Sequence, residues 1–289
     1  MSFEIHGWLK RIGYSGPVTP DINTLRAIVA SQVATISFEN MDVLLGRAME
    51  LDDDHIYAKL VDGGRGGYCF ELNGLLSRGL RELGFDVRDL AGRVMLGRHN
   101  SLPPRTHRMM TVTIDGTQWL VDVGLGGQTP TEPLLLNSED EQLIASGRYR
   151  MERVEEDYQL EYFGSHGWQP LYRFDLQRQY LSDYQMANEH VSLHPTSHFR
   201  HHLMLSLPSA TGRLTELNRR FTEHTSAGDA SYELSDSELY QVLQTRFGLS
   251  LDSEQYGISQ HQFSMMMQRV AGTWRQKRLS ANQPEKNVA

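Results

Sequence analysis

Hydrophobic positions recur with a helical period through the first third of the chain and alternate through its middle. Leu25, Ile28, Val29, Val33 and Ile36 stand three and four residues apart, so this segment predicts a helix with one buried face. Thr19-Pro20 ahead of it supplies a capping hydroxyl and a proline suited to a first helical turn. A second helix is expected at Asp52-Asp53-Asp54, whose carboxylates suit the positive end of a helix. No further clustered ligands follow, so the acidic run reads as a helix start rather than a metal site. A third helix follows Gly63-Gly64-Arg65-Gly66-Gly67, with Leu72, Leu75, Leu76, Leu80 and Leu83 on one face and Gly84 as its stop. From Phe85 the period changes. Arg88 to Leu96, His107 to Ile114, Gln118 to Leu125 and Glu132 to Leu136 predict strands, as do segments between Tyr149 and Leu176. Asp115-Gly116, Gly126-Gly127 and Gly164-Ser165 between them imply antiparallel hairpins, hence a barrel or sandwich. The last third is mixed. Ser235 and Glu238 form a capping box, Leu234 and Leu239 a hydrophobic staple, for a helix expected to end at Gly248. From Arg275 the tail is polar and expected to fray.

Composition narrows the class. A length of 289 residues favours about two domains and allows a large core. Hydrophobic residues at 39% and charged residues at 22% fit a folded soluble chain rather than a disordered one. The net charge of −8 leaves no nucleic-acid footprint in the totals. A single cysteine excludes an internal disulfide framework and any multi-cysteine metal site. The N-terminus lacks the basic-then-apolar run of a signal peptide, and no apolar stretch is long enough to span a bilayer. The expectation is a cytoplasmic globular protein with neither a membrane nor a nucleic acid as partner.

Cys69 carries the candidate chemistry. A lone cysteine in a helical region is by default a small buried hydrophobe. Here it falls in the first turn of the third helix, with Tyr68 alone separating it from two glycines. Unpaired N–H groups and the partial positive charge of a helix N-terminus favour a thiolate, and the same N–H groups can stabilise an oxyanion. The glycines allow a sharp turn and close approach of a substrate. Such a nucleophile still needs a base and a group to orient it.

The hairpin at Asp115-Gly116 can supply both. If those two residues form the loop, Ile114 faces Thr117, position 109 faces 122 and position 107 faces 124. Met110, Val112, Ile114, Trp119, Val121 and Val123 then share one side of the ribbon, and His107 and Asp122 the other. The latter two become diagonal neighbours about 7–8 Å apart at the backbone. Taken singly, each reads as an ordinary strand-end or surface residue. On one face, beside an apolar pattern that implies burial, they read as a histidine oriented by an acid.

Arg65-Gly-Gly-Tyr-Cys69-Phe-Glu71 resembles the R-G-G-x-C-x-E signature of the arylamine N-acetyltransferase family. Thr106-His107 and Val121-Asp122-Val123-Gly124 fall where that family places its histidine and aspartate. The similarity extends to residues 9–17, to Ile36-Ser-Phe-Glu-Asn40 and to Asn188 through Phe199. It implies an α+β multidomain protein: a helical bundle over 1–84, an antiparallel β-barrel over 85–195, and an α/β lid with a polar tail over 196–289. It also implies a Cys69–His107–Asp122 triad and acetyl-CoA as cosubstrate, with no metal. Phe38, Thr106, Leu125 and Gly126 become expected substrate-binding positions, with Glu39 and Arg65 an ion pair supporting the glycine loop. Two departures stand out. Leu125 replaces an aromatic residue usual in the family, and Ser37 replaces a proline.

The implied reaction is ping-pong transfer of an acetyl group through Cys69 to an arylamine or arylhydrazine. A thioesterase or other cysteine hydrolase would use the same triad with water as acceptor, and an inactive binding module could retain the fold. The oligomeric state is open. Three further signals carry less. His190, His194 and His198 stand four apart, but Pro195 interrupts the helix and no carboxylate completes a zinc signature. Gly124-Leu-Gly-Gly127 could face CoA phosphates but equally makes a turn. The twelve methionines read as core filler.

Overall fold

The computed structural model describes residues 3–97, 102–209 and 212–281. Helices α1 (Ile5–Arg11) and α2 (Ile22–Thr35) come first, and α2 buries Leu25, Ile28, Val29 and Val33 as their spacing predicts. Its cap differs from expectation. Asp21, not Thr19, accepts the Thr24 N–H at 2.8 Å, because an extended residue directly before the helix reaches the free donors. Strand β1 (Phe38–Glu39) and helix α3 (Met41–Leu45) follow, both too short to show a period. Helix α4 (Asp53–Tyr57) begins at Asp52, which accepts the His55 N–H, and runs into a π-helical turn at Ala58–Asp62. Helix α5 (Cys69–Glu82) buries Leu72, Leu75, Leu76 and Leu80, and Gly84 ends it at φ +86°.

Eight antiparallel strands come next: β2 (Asp86–Val94), β3 (His107–Ile114), β4 (Thr117–Val121), β5 (Leu134–Leu135), β6 (Gln142–Ile144), β7 (Gly147–Val154), β8 (Asp157–Gly164) and β9 (Gly167–Phe174). In the order β5-β4-β3-β2-β9-β8-β7-β6 they curl into a nearly closed barrel. The Gln142 carboxamide bridges the two edge strands, donating to the Leu135 carbonyl at 2.9 Å and accepting its N–H at 2.6 Å. One side chain thus stands in for a ladder rung and blunts both edges.

The hairpin register is as the spacing requires: Ile114 faces Thr117 and Met110 faces Val121, with Asp115 and Gly116 both at positive φ. Its two faces enter different cores. Met110, Val112, Ile114, Val121 and Val123 pack with residues of α1, α2 and α5, whereas Met109 and Leu120 pack inside the barrel with Tyr149, Leu160 and Tyr172. Strand β4 stops at Val121 rather than continuing to Leu125. Gly126-Gly127 sits in a long loop leading to β5, not in a tight hairpin, and β5 spans two residues of the predicted Glu132–Leu136.

Helix α6 (Leu181–Leu193) leads to strands β10 (Met204–Ser209), β11 (Gly212–Leu217), β12 (Arg220–Thr225) and β13 (Gly228–Glu233). β1 joins them, giving a five-stranded antiparallel sheet in the order β1-β10-β11-β12-β13. Helices α7 (Asp236–Thr245) and α8 (Gln260–Ala281) share an apolar core with this sheet, built from residues such as Leu205, Phe221, Leu239 and Phe263. Ser235 and Glu238 cap α7 reciprocally; the helix ends three residues before Gly248, which turns the chain at φ +67°. The tail does not fray at Arg275. Helix α8 continues to Ala281, and residues 282–289 lie outside the described residues. Among the described residues no helix is long and apolar enough to cross a membrane.

Candidate active site

Cys69 opens α5, and its position is set by the glycine loop before it. Gly67 accepts the Glu39 N–H at 2.9 Å and donates to the Ser37 carbonyl at 3.2 Å, laying the loop alongside β1. Gly66 runs so close that a Cβ there would meet the Ser37 oxygen at 2.3 Å. At the helix N-terminus Glu71 accepts the Tyr68 N–H at 3.0 Å, and Lys59 holds the same carboxylate at 2.7 Å. Glu39 and Arg65 form a fully buried ion pair at 2.6 Å, with Asp42 3.5 Å from the same guanidinium nitrogen. Lys59 lies 2.6 Å from Asp42, which completes a buried cluster under the loop.

His107 and Asp122 lie on the barrel-interior face of the hairpin, both buried, with His107 Nε2 2.6 Å from Asp122 Oδ2. Asp122 Oδ1 accepts the Asn73 carboxamide and the Gly124 N–H, each at 2.9 Å. Burial disfavours the Asp122 anion, but His107 and these donors hold its carboxyl below the usual carboxylate range. Burial likewise opposes charge on His107; the Asp122 carboxylate and the Cys69 sulfur overcome it and raise the imidazole to about 10. Cys69 is thus the second polar neighbour of the ring, and its Sγ lies 3.7 Å from the Thr106 carbonyl. Gly124 makes the approach possible. A Cβ there would sit 2.7 Å from Cys69 Cα. The Tyr172 ring packs 5.0 Å from the imidazole, and burial and Asp122 together push its phenol well above the ordinary range.

Cys69 and His107 open onto a cavity of about 550 Å³. Phe38, Thr106, Leu125 and Gly126 line it too, so the structure brings all four expected substrate-binding positions together. Asp122 is absent from the lining and stands behind His107. Phe199 and Met204, from the chain beyond α6, line it as well. A second cavity of about 790 Å³ shares Gly126, Gly127 and Ser206 with the first and extends between the barrel and the second sheet, past Tyr149, Arg213 and His224. Among the described residues, Arg213 Nε is buried there without a hydrogen-bond partner.

Asn73 was not marked by the sequence reading. It lies one helical turn beyond Cys69, donates to the Arg108 carbonyl at 2.7 Å as well as to Asp122, and accepts the Val123 N–H at 3.0 Å. An asparagine among the leucines of a buried helix was the available signal, since a buried carboxamide must find partners. The histidines set aside as metal ligands pair as rings instead, His190 with His194 at 4.7 Å and His198 with His202 at 6.2 Å. Among the described residues no three potential ligands converge.

A cysteine at a helix terminus and an imidazole at the wall of one apolar cavity, with a buried carboxylate behind the ring, suit acyl transfer through sulfur. A family model described as N-acetyltransferase matches residues 21–256. An arylamine N-acetyltransferase of Escherichia coli (strain K12) is 44% identical over 268 residues, covering 91% of this chain and 95% of that one. The solved arylamine N-acetyltransferase from Salmonella typhimurium superposes with a TM-score of 0.88 at 39% identity, covering 93% of this chain and 98% of that one. The Mycobacterium marinum enzyme, solved in complex with CoA, gives 0.88 at 34% identity over 92% of this chain and 99% of that one. With sequence and architecture matching along nearly the whole length, the chain belongs to the arylamine N-acetyltransferase family.

Proposed function

We propose that this protein transfers an acetyl group from acetyl-CoA to aromatic amines and hydrazines, with Cys69, His107 and Asp122 as its catalytic triad. The observation that carries the reading is the imidazole held between the Cys69 sulfur and the Asp122 carboxylate at the wall of an apolar cavity. The resting pair is a Cys69 thiolate and a His107 imidazolium, with Asp122 balancing the ring charge and fixing its orientation. The thiolate attacks the thioester carbonyl, the bond to the CoA sulfur breaks, and His107 gives its proton to the departing sulfur. The acceptor nitrogen then attacks the acetyl-cysteine. Its proton passes to His107, the C–S bond breaks, and the thiolate–imidazolium pair is restored.

Phe38 and Leu125 would flank the acceptor ring, with Thr106 and Gly126 at the edge of the reacting carbonyl. The second cavity suits the rest of CoA. Arg213, with its orphaned buried nitrogen, would donate to phosphate oxygens there. The functional parts are the mainly helical 1–84, which bears Cys69 and lends β1 to the second sheet, the barrel-containing 85–195, which bears His107 and Asp122, and the α/β lid from residue 196 on. Neither nucleic acid nor membrane enters the reading, and the cytoplasm is its compartment. The test is intact-mass measurement after incubation with acetyl-CoA. One acetyl group should appear on Cys69 and persist until an arylamine is added. Rapid CoA release with no acceptor present would instead favour a hydrolase.

A further inference from the structure

The part of the acceptor-cavity wall built by residues 196–204 has little regular structure of its own. Between the end of α6 and β10 the chain passes Pro195, makes a single 3₁₀ turn at His198–Arg200 and returns at Met204. Yet it presents one large ring at a defined place. Phe199 lies 6.2 Å from the Phe38 ring and 5.8 Å from that of Tyr68, the residue before Cys69. The three form an aromatic corner beside the reactive sulfur.

Asn40 holds that corner. It is 2% exposed and is not among the residues that line the cavity. Nδ2 donates to the carbonyls of Phe199 and His202, both at 2.8 Å, and Oδ1 accepts the Met204 N–H at 2.9 Å. These three bonds hold the middle residue of the 3₁₀ turn and the stretch that leads from it into β10. Asn40 also follows β1 directly, so the segment carrying Phe38 carries the clamp for Phe199. Asn188, within α6, ties that helix to the same corner, accepting the Tyr68 hydroxyl and donating to the Met49 carbonyl at 2.9 Å.

We infer that Asn40 is a specificity-positioning residue: without touching the acceptor, it sets Phe199 against Phe38 and so determines how tightly an aromatic ring is held near Cys69. This rests on the acetyl-transfer reading above. The ping-pong route separates the two. Acetyl-enzyme is prepared with acetyl-CoA, freed of CoA by gel filtration, and discharged either by an aniline or by hydrazine, which has no ring to hold. Failure of wild-type protein to carry acetyl on Cys69 would sink the underlying reading, not this inference alone.

With acetyl-enzyme in hand, Asn40→Asp keeps the side-chain size but loses both donors. The aniline concentration giving half-maximal discharge should rise about tenfold while the limiting rate and the hydrazine rate move less than about twofold. If Asn40→Asp does not fold, as judged by thermal melting, Asn40→Ser retains an oxygen for the Met204 N–H and carries the same test. In a Phe199→Leu background the Asn40 substitution should add less than about twofold, since its effect runs through that ring. Equal losses with aniline and hydrazine, unchanged aniline saturation, or additive effects of the two substitutions would each overturn the inference.

Discussion

His107 is buried where a charged imidazole should be disfavoured, and its proton is nonetheless held up to about pH 10 by the Asp122 carboxylate and the Cys69 sulfur. The folded value lies above the ordinary 6.5, so the stabilising contribution of this pairing is complete below about pH 6.5 and disappears as pH rises through about 10. A sulfur beside a ring that keeps its proton should react readily in mildly acidic buffer. Alkylation of Cys69 by iodoacetamide at pH 6 is expected to proceed readily in the wild type and at least about tenfold more slowly in Asp122→Asn, which removes the charge balancing the ring. The difference should narrow toward pH 10 as the wild-type imidazole loses its proton. Alkylation followed by mass spectrometry measures it, and equal rates at pH 6 would remove Asp122 from the proposed triad.

At the scale of elements, the site depends on docking α5 against the β3–β4 hairpin. Asn73 is the bolt, because one carboxamide bonds the Arg108 carbonyl on β3, the Asp122 side chain and the Val123 N–H. Asn73→Ala should cost about 1–3 kcal/mol of stability and lower kcat roughly a hundredfold, with acceptor KM little changed. Denaturant melts and steady-state kinetics together check this; a loss confined to KM would contradict it. The hairpin itself was legible. Asp115-Gly116 favours a two-residue loop, and that loop alone decides which residues share a face. Helix α5 was legible from its leucine spacing, since Gly84 marks its stop. Where side chains take over backbone partners, the period misleads. Val123 and Gly124 give their N–H groups to Asn73 and Asp122, so β4 ends early although its apolar pattern continues. The aromatic corner was hidden for a related reason. Asn40 and Phe199 are bound by bonds between residues far apart in sequence, which no local pattern reveals.

Over the whole molecule, β1 is the shared member. It bridges to the loop ahead of Cys69, pairs with β10 in the second sheet, and through Glu39 engages the buried Arg65. The second sheet is therefore tied to the site, and its core has one conspicuous irregularity. Glu216 on β11 pairs in register with Leu205 and Phe221, so its side chain enters the apolar layer beneath α7 and α8. It is 2% exposed, and among the described residues neither carboxyl oxygen has a hydrogen-bond partner. Burial, reinforced by Glu233, raises it from 4.5 to about 8. The native state then keeps a proton that the unfolded chain releases. This contribution to stability is complete below about pH 4.5, declines as pH climbs toward about 8, and is flat beyond. Glu216→Gln keeps the shape and removes the titration. Its melting temperature should match wild type near pH 4.5 and exceed it by about 5 °C at pH 8. Calorimetry across that interval measures the gap, and melting curves that stay parallel would mean that Glu216 ionises as freely in the folded protein as in the unfolded chain.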